Sequence, residues 1–277
     1  KHTSRIMSSI LLAFALSALA ICQSSLYIDT TYGTILGYTI GEVNIWSSIP
    51  YAAPPVGDLR FAPPQAPQPW QGVLNTMDDP PGCLQSCTLA WWACPRVIDE
   101  DCLYINVFAP MDASPTKLKS VMLFIHGGDY LEGYGGGLLY NATNWVNMTD
   151  IVVVTFNYRL GAQGFYYDEE AGLKGNYGYF DQVFAMQWVA DNIEQFGGNK
   201  SDITLFGQSA GGVSVATHLM NTTNTWIKAA IIESNPFGLP LRTTKTWGEL
   251  PNLFKSYAGC DIVRSGEEQL KCLRSVS

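Results

Sequence analysis

Four short, nearly continuous apolar runs dominate the hydrophobic pattern of this chain. They are rich in Val, Ile and Phe and occupy residues 103–108, 121–125, 151–156 and 203–206. Runs of this kind are typical of strands buried on both faces, as in a largely parallel sheet covered by helices. Between the last two runs, apolar residues recur at helical spacing over residues 181–196. This alternation predicts an α/β fold.

The region before these runs has a different pattern. Residues 27–47 contain short β-type segments separated by glycines, which predicts a small antiparallel β region. Residues 50–70 hold seven of the 15 prolines, which predicts a stiff, irregular surface coil. Within that coil Tyr51, Phe61 and Trp70 are predicted packing anchors.

The first 24 residues have the pattern of a targeting segment. Basic residues precede an apolar run over residues 10–21, which suits a signal-peptide core and is too short to span a bilayer. Small residues offer cleavage after Ala20 or Ser24. We expect residues 1–24 to be a signal peptide and the protein to be secreted. If Met7 is the true start, residues 1–6 are an upstream artefact. A buried N-terminal helix and a bacterial lipoprotein signal are less favoured.

Composition and charge exclude several classes of protein. Hydrophobic residues make up 47% and charged residues 14%, the opposite of a disordered chain. The formal net charge is −8 and there is no basic run, so nucleic acid and anionic membrane surfaces are not expected partners. No stretch after residue 24 approaches the roughly 18 apolar residues of a membrane span. We expect residues 25–277 to belong to a single domain.

Cysteines and glycosylation sequons agree with secretion. Beyond Cys22 the cysteines are Cys83, Cys87, Cys94, Cys102, Cys260 and Cys272. An even number in a secreted chain predicts disulfides, in any of about 15 pairings. Buried free thiols are the alternative; a zinc site is disfavoured because no His lies near the cysteines, and no metal or cofactor is predicted. The candidate glycosylation sites are Asn141, Asn147, Asn199 and Asn221.

A Gly-x-Ser-x-Gly motif centred on Ser209 follows the last apolar run. A Ser nucleophile has to leave a sheet on a tight turn, and glycines two residues before and after it permit that crowding. The pattern alone arises readily by chance, but here an apolar strand precedes it and a helix-compatible segment, 213–220, follows it. The motif therefore predicts a nucleophilic Ser209, with the N–H of Ala210 facing the developing oxyanion.

A second motif lies upstream, where the run 121–125 ends in His126-Gly127-Gly128-Asp129. A strand that runs into a glycine turn is where further oxyanion N–H donors are expected in such a site. An ordinary hairpin turn is the alternative, and the Ser209 motif favours the functional interpretation.

Together these motifs resemble the type-B carboxylesterase/cholinesterase family of the α/β-hydrolase fold. The segments that carry the resemblance are, in order, 49–52, 54–57, 59–61, 100–107, 126–128, 157–161, 164–165, 175–176, 181–182, 188–189, 192–193, 196–199, 207–211, 260 and 272–274. The resemblance implies a secreted serine hydrolase that cleaves small-molecule carboxylic esters through an acyl-enzyme.

The resemblance also implies roles for individual residues. Ser209 would be the nucleophile, and Gly128, Asp129 and Ala210 would supply the oxyanion N–H groups. The family's disulfides correspond to Cys83–Cys102 and Cys260–Cys272, which leaves Cys87–Cys94 as a pair peculiar to this chain.

Three positions near the implied site stand out. Gln208 stands where the family usually has Glu, and Asp129 stands where it usually has a small residue. Trp92 lies ten residues before Cys102, the spacing of a cation-binding Trp in the choline-binding members. It is a candidate contact for a quaternary ammonium, although a packing role is the favoured alternative.

The family carries its triad in the order Ser, acid, His, and no His of this chain fits. His2 lies in the targeting segment, His126 in the oxyanion turn, and His218 roughly 13.5 Å along the helix that leads away from Ser209. We expect the chain to be the N-terminal half of the family domain, inactive alone, with the acid and His beyond Ser277. A non-catalytic binding or adhesion protein on the same scaffold is the alternative.

Overall fold

The structure is a computed structural model that describes residues 26–220, 226–236, 243, 248–262 and 265–276. The predicted signal peptide, Cys22 and the sequon at Asn221 lie outside the described residues. Within the described ranges, no helix combines the length and apolar content needed to cross a membrane.

The described elements alternate between strands and helices along most of the chain. The strands are β1 Tyr27–Thr30, β2 Gly33–Leu36, β3 Tyr38–Ile40, β4 Val43–Pro50, β5 Val73–Asn75, β6 Tyr104–Pro110, β7 Lys119–Ile125, β8 Val152–Phe156, β9 Tyr167–Asp168, β10 Leu173–Lys174, β11 Gly198–Gln208 and β12 Ile227–Glu233. The α-helices are α1 Thr143–Thr149, α2 Gly161–Phe165, α3 Tyr177–Asn192, α4 Ala210–Met220, α5 Leu250–Tyr257 and α6 Gly266–Ser275.

A seven-stranded sheet, in the order β12-β11-β7-β8-β6-β4-β3, organises the fold. The four strands from β12 to β8 are parallel, whereas β6, β4 and β3 pair antiparallel. The predicted α/β fold is confirmed, but the parallel part is smaller than the apolar runs suggested. Strand β6 is almost entirely buried, as predicted, yet antiparallel to both neighbours. Burial on both faces, not strand direction, gives a strand its continuous apolar pattern.

The predicted antiparallel region divides between two sheets. Strands β1 and β2 form a hairpin that β5 extends into a small separate sheet, whereas β3 and β4 join the edge of the main sheet. The proline-rich coil that follows is anchored as predicted. Tyr51 and Phe61 are buried, and the indole N–H of Trp70 donates to the carbonyl of Thr34 at 2.9 Å.

The three disulfides of the structure match the pairing that the resemblance implied. The S–S distances are 2.02 Å for Cys83–Cys102, 2.05 Å for Cys87–Cys94 and 2.04 Å for Cys260–Cys272. The second bridge lies inside the loop that the first one closes. This nesting constrains a segment that has little regular secondary structure of its own.

A buried ion pair joins the chain after β8 to helix α3. The guanidinium of Arg159 donates to both carboxylate oxygens of Asp181, at 2.7 and 2.8 Å. The backbone N–H of Arg159 donates to the same carboxylate at 3.0 Å. The two side chains are 1% and 0% exposed. Such a pair ties α3 to the sheet, because loss of one partner leaves the other charge buried and unpaired.

We therefore predict that Asp181→Asn lowers the free energy of unfolding by about 3–5 kcal/mol. The matched control is Glu194→Gln, which removes an exposed ion pair with Lys200 and should cost less than about 1 kcal/mol. Urea unfolding of the protein expressed from its complete gene measures both. Equal, small losses would contradict the structural importance of the buried pair.

Strand β12 is the outermost strand at one side of the main sheet as the described residues form it. It pairs with β11, and its side chains are mostly exposed, Ile231 to 43%. The apolar run 229–232 therefore lies at the edge of the sheet that the described residues form. An unprotected apolar edge is a template for pairing with other chains.

The 277-residue chain expressed alone should consequently self-associate or remain loosely packed. Ile231→Lys should reduce that association by placing a charge on the edge, whereas Ile40→Lys on the short opposite edge β3 should have a smaller effect. Size-exclusion chromatography with light scattering measures both. A monodisperse chain with a sharp, cooperative melt would contradict this prediction.

Candidate active site

Ser209 occupies a strained turn between β11 and α4. Its φ angle is 55°, in the left-handed region that residues other than glycine rarely adopt. Its backbone N–H donates to the carbonyl of Glu233 at 2.9 Å, and its carbonyl accepts from the N–H of Val213 at 2.9 Å. Backbone bonds on both sides thus hold the strained residue in place, with its side chain partly exposed.

The two flanking glycines are required by close backbone contacts. A Cβ atom on Gly211 would lie 2.0 Å from the carbonyl oxygen of Ile125, at the end of β7. A Cβ atom on Gly207 would lie 2.6 Å from the carbonyl carbon of Gly211. Since real Cβ atoms do not approach backbone so closely, only glycine allows β11, β7 and α4 to meet at this turn.

The glycine turn after β7 lies against Ser209. A Cβ atom on Gly127 would lie 3.2 Å from the Cβ atom of Ser209. The following residues Gly128, Asp129 and Tyr130 have φ angles of 108°, 57° and 58°. Within the part of the chain that the structure describes, the N–H groups of Gly128 and Asp129 have no acceptor. Consecutive backbone N–H groups in such a turn are suited to an anion.

The two unusual residues have different surroundings. The Asp129 side chain is exposed, so its carboxylate is hydrated and interacts weakly with a charge at the turn. Gln208 is partly buried, and its Oε1 would lie 2.7 Å from a Cβ atom on Gly127. The carboxamide of Gln208 therefore packs directly on the glycine turn.

A buried polar network that was not predicted from the sequence lies beneath the turn. The Ser214 hydroxyl donates to the carbonyl of Ala210 at 3.0 Å and accepts from the Gln182 side chain at 3.0 Å. The hydroxyl of Tyr130 bonds the same oxygen at 3.2 Å. Gln182 also bonds Nε2 of His218 at 2.9 Å. Polar residues in the otherwise apolar helices α3 and α4 were the available signal.

The two described histidines have structural surroundings. The His126 ring stacks on Tyr158 at 4.4 Å, and its Nδ1 bonds the carbonyl of Gly127 at 2.9 Å. The His218 ring stacks on Tyr179 at 4.5 Å. Burial lowers the pKa of each imidazole to about 4. Neither ring bonds Ser209, in agreement with the structural roles expected for both.

The remaining predicted site residues lie at the surface. Trp92 is 43% exposed in the Cys83–Cys102 loop, so part of its ring is accessible to a ligand. Asn141 and Asn147 are exposed and Asn199 is partly exposed. In the described residues no group of three potential metal-binding side chains occurs.

Comparison with known proteins identifies the family. The family model "Carboxylesterase family" matches residues 24–277. The chain is 39% identical over 250 residues to the cAMP-regulated D2 protein of Dictyostelium discoideum, covering 90% of this chain and 45% of that protein. It is 35% identical over 287 residues to liver carboxylesterase 1 of Oryctolagus cuniculus, covering 95% of this chain and 50% of that protein.

Solved structures give the same result. A thermophilic PNB esterase is 36% identical and superposes with a TM-score of 0.82, covering 91% of this chain and 52% of that chain. The chain thus spans about half the length of the relatives it matches. The family model, the sequence identities and the superposition together show that the chain belongs to the carboxylesterase family.

Proposed function

We propose that the protein is a serine carboxylic-ester hydrolase in which Ser209 is the nucleophile. The observation that carries this proposal is the strained Ser209, held with a φ of 55° between β11 and α4 beside the glycine turn. The Ser209 hydroxyl attacks the ester carbonyl, the alcohol leaves, and water hydrolyses the resulting acyl-enzyme.

The charge that develops on the carbonyl oxygen requires fixed donors. We assign this role to the N–H groups of Gly128, Asp129 and Ala210. Ala210 is the first residue of α4, so the helix dipole adds to its donor. Donors that are in place before the reaction stabilise the transition state without reorganisation. The exposed position of the Asp129 carboxylate supports this assignment, because it leaves only the backbone of that residue at the site.

The general base has to come from a residue other than His126 or His218. Both rings are committed to structural bonds and stacking, and the relatives are about twice as long as this chain. We therefore propose that the acid and the histidine lie beyond Ser277 and that these 277 residues are inactive alone. Without a base, a serine hydroxyl is a weak nucleophile.

We also propose that the protein is secreted. Three disulfides favour an oxidising compartment, and a signal peptide over residues 1–24 would deliver the chain there. Asn141 and Asn147 are accessible to glycosylation. A non-catalytic adhesion role is not favoured, because the Ser209 turn keeps the features needed for ester hydrolysis.

Ser209→Ala should reduce hydrolysis of a short p-nitrophenyl ester at least about a thousandfold, since it removes the nucleophile. The assay uses the protein expressed from its complete gene, and a fluorophosphonate should label the parent protein at Ser209. Ser120→Ala, an exposed hydroxyl at the other end of the sheet, is the matched control and should keep full activity. Equal turnover by Ser209→Ala would overturn the proposal. Comparable turnover by the 277 residues alone would overturn the placement of the acid and base.

The buried imidazoles of His126 and His218 should remain neutral at pH values well below the usual pKa of histidine. Their pKa values of about 4 mean that the unfolded chain takes up these protons first, near pH 6.5. Folding stability should therefore decrease as the pH falls from about 6.5 towards 4. Carbon-13 histidine NMR, assigned with His126→Gln and His218→Gln, measures both values. A midpoint above pH 6 for either ring would make it a candidate base again.

A further inference from the structure

The glycine turn is held from outside by the disulfide-closed loop 83–102, and Gln85 makes the central contact. The Gln85 side-chain Nε2 donates to the carbonyl of Gly133 at 2.9 Å, and its Oε1 accepts from the N–H of Gly133 at 2.8 Å. Nε2 also donates to the carbonyl of Cys83 at 3.0 Å. One carboxamide thus satisfies both backbone groups of a single residue.

The residue that Gln85 holds lies directly on the glycine turn. A Cβ atom on Gly133 would lie 2.7 Å from the carbonyl oxygen of Gly127 and 2.8 Å from Nδ1 of His126. The preceding residue, Glu132, donates its N–H to the carbonyl of Gly128 at 3.0 Å. Any shift of Gly133 is therefore transmitted to the peptides on which the oxyanion donors lie.

A second contact holds the neighbouring residue. The hydroxyl of Thr88 lies 3.0 and 3.1 Å from the two carboxylate oxygens of Glu132, and its backbone N–H donates to the same carboxylate. Thr88 lies inside the small ring closed by Cys87–Cys94. This ring limits how far Thr88 can move away from Glu132.

We propose that Gln85 is a positioning residue for the oxyanion hole and that Thr88, held by the Cys87–Cys94 ring, supports it. The inference rests on the proposed function. It adds a contribution to the reaction rate from residues other than the reacting groups. Oxyanion donors act on charge that exists only in the transition state, so a looser turn weakens transition-state binding more than substrate binding. The expected signature is a lower kcat at nearly constant KM.

The test replaces Gln85 by Met, which keeps the length of the side chain and removes its hydrogen bonds. In the protein expressed from its complete gene, kcat for p-nitrophenyl acetate should fall by about 10- to 100-fold, with KM changed by less than about threefold. Fluorophosphonate titration counts folded sites, so kcat is obtained per site. The affinity for a trifluoromethyl ketone, whose adduct uses the same donors, should fall by the same factor. Gln187→Met is the matched control and should match the parent, because Gln187 is exposed on α3 and its side chain bonds the neighbouring Asp191.

Thr88→Val provides a milder variant, since it removes only an exposed hydrogen bond. It should lower kcat by about two- to fivefold, again at constant KM, and it carries the test if Gln85→Met does not fold. Unchanged kcat in the Gln85→Met protein, or in the Thr88→Val protein when the former does not fold, would overturn the inference. A rise in KM alone would also overturn it. Ser209→Ala separates this inference from the proposed function: if Ser209→Ala abolishes turnover while Gln85→Met leaves kcat unchanged, only this inference fails.

Discussion

The geometry of the proposed active site depends on how closely three pieces of backbone approach one another. The start of α4 lies against the end of β7, where Gly211 and the carbonyl of Ile125 leave no room for a Cβ atom. This contact sets the distance between the two turns. The glycine turn starts where β7 ends, and the Ser209 turn leads directly into α4. The strain at Ser209 is tolerated since its N–H and carbonyl are both bonded. A single methyl group at Gly211 would separate Ser209 from the N–H groups that we propose as oxyanion donors.

Polar groups buried around this contact hold the helices and the sheet that meet there in position. The Ser214 hydroxyl links α4 to Tyr130 on the glycine turn and to Gln182 on α3. The Arg159–Asp181 ion pair joins the same helix α3 to the chain after β8. Each group has hydrogen-bond partners, so the network positions its neighbours without leaving a charge or donor exposed to the apolar interior. The position of the partly exposed Ser209 turn thus relies on order in the buried layer beneath it.

The features that could be predicted from the sequence are those determined by residues that lie close together along the chain. Burial alone makes the runs at β7, β8 and β11 apolar, so these strands could be located from the sequence. Burial carries no information on strand direction, and β6 therefore proved antiparallel where a parallel strand was expected. The Ser209 turn could be predicted because its glycines and serine lie within five residues. The contacts of Gln85 with Gly133 and of Tyr130 with Ser214 join residues 48 and 84 positions apart. Such pairs involve common polar residues without a local pattern, so only the folded chain shows them.

The hydrogen bond between Ser209 and Glu233 couples the Ser209 turn to strand β12. Glu233 is the last residue of β12, and it pairs with Gln208 at the end of β11. If the end of β12 separates from β11, Ser209 loses one of the bonds that keep its backbone in the left-handed conformation, and the turn can relax. A substitution that weakens the packing of β12 would therefore disturb Ser209 without touching it.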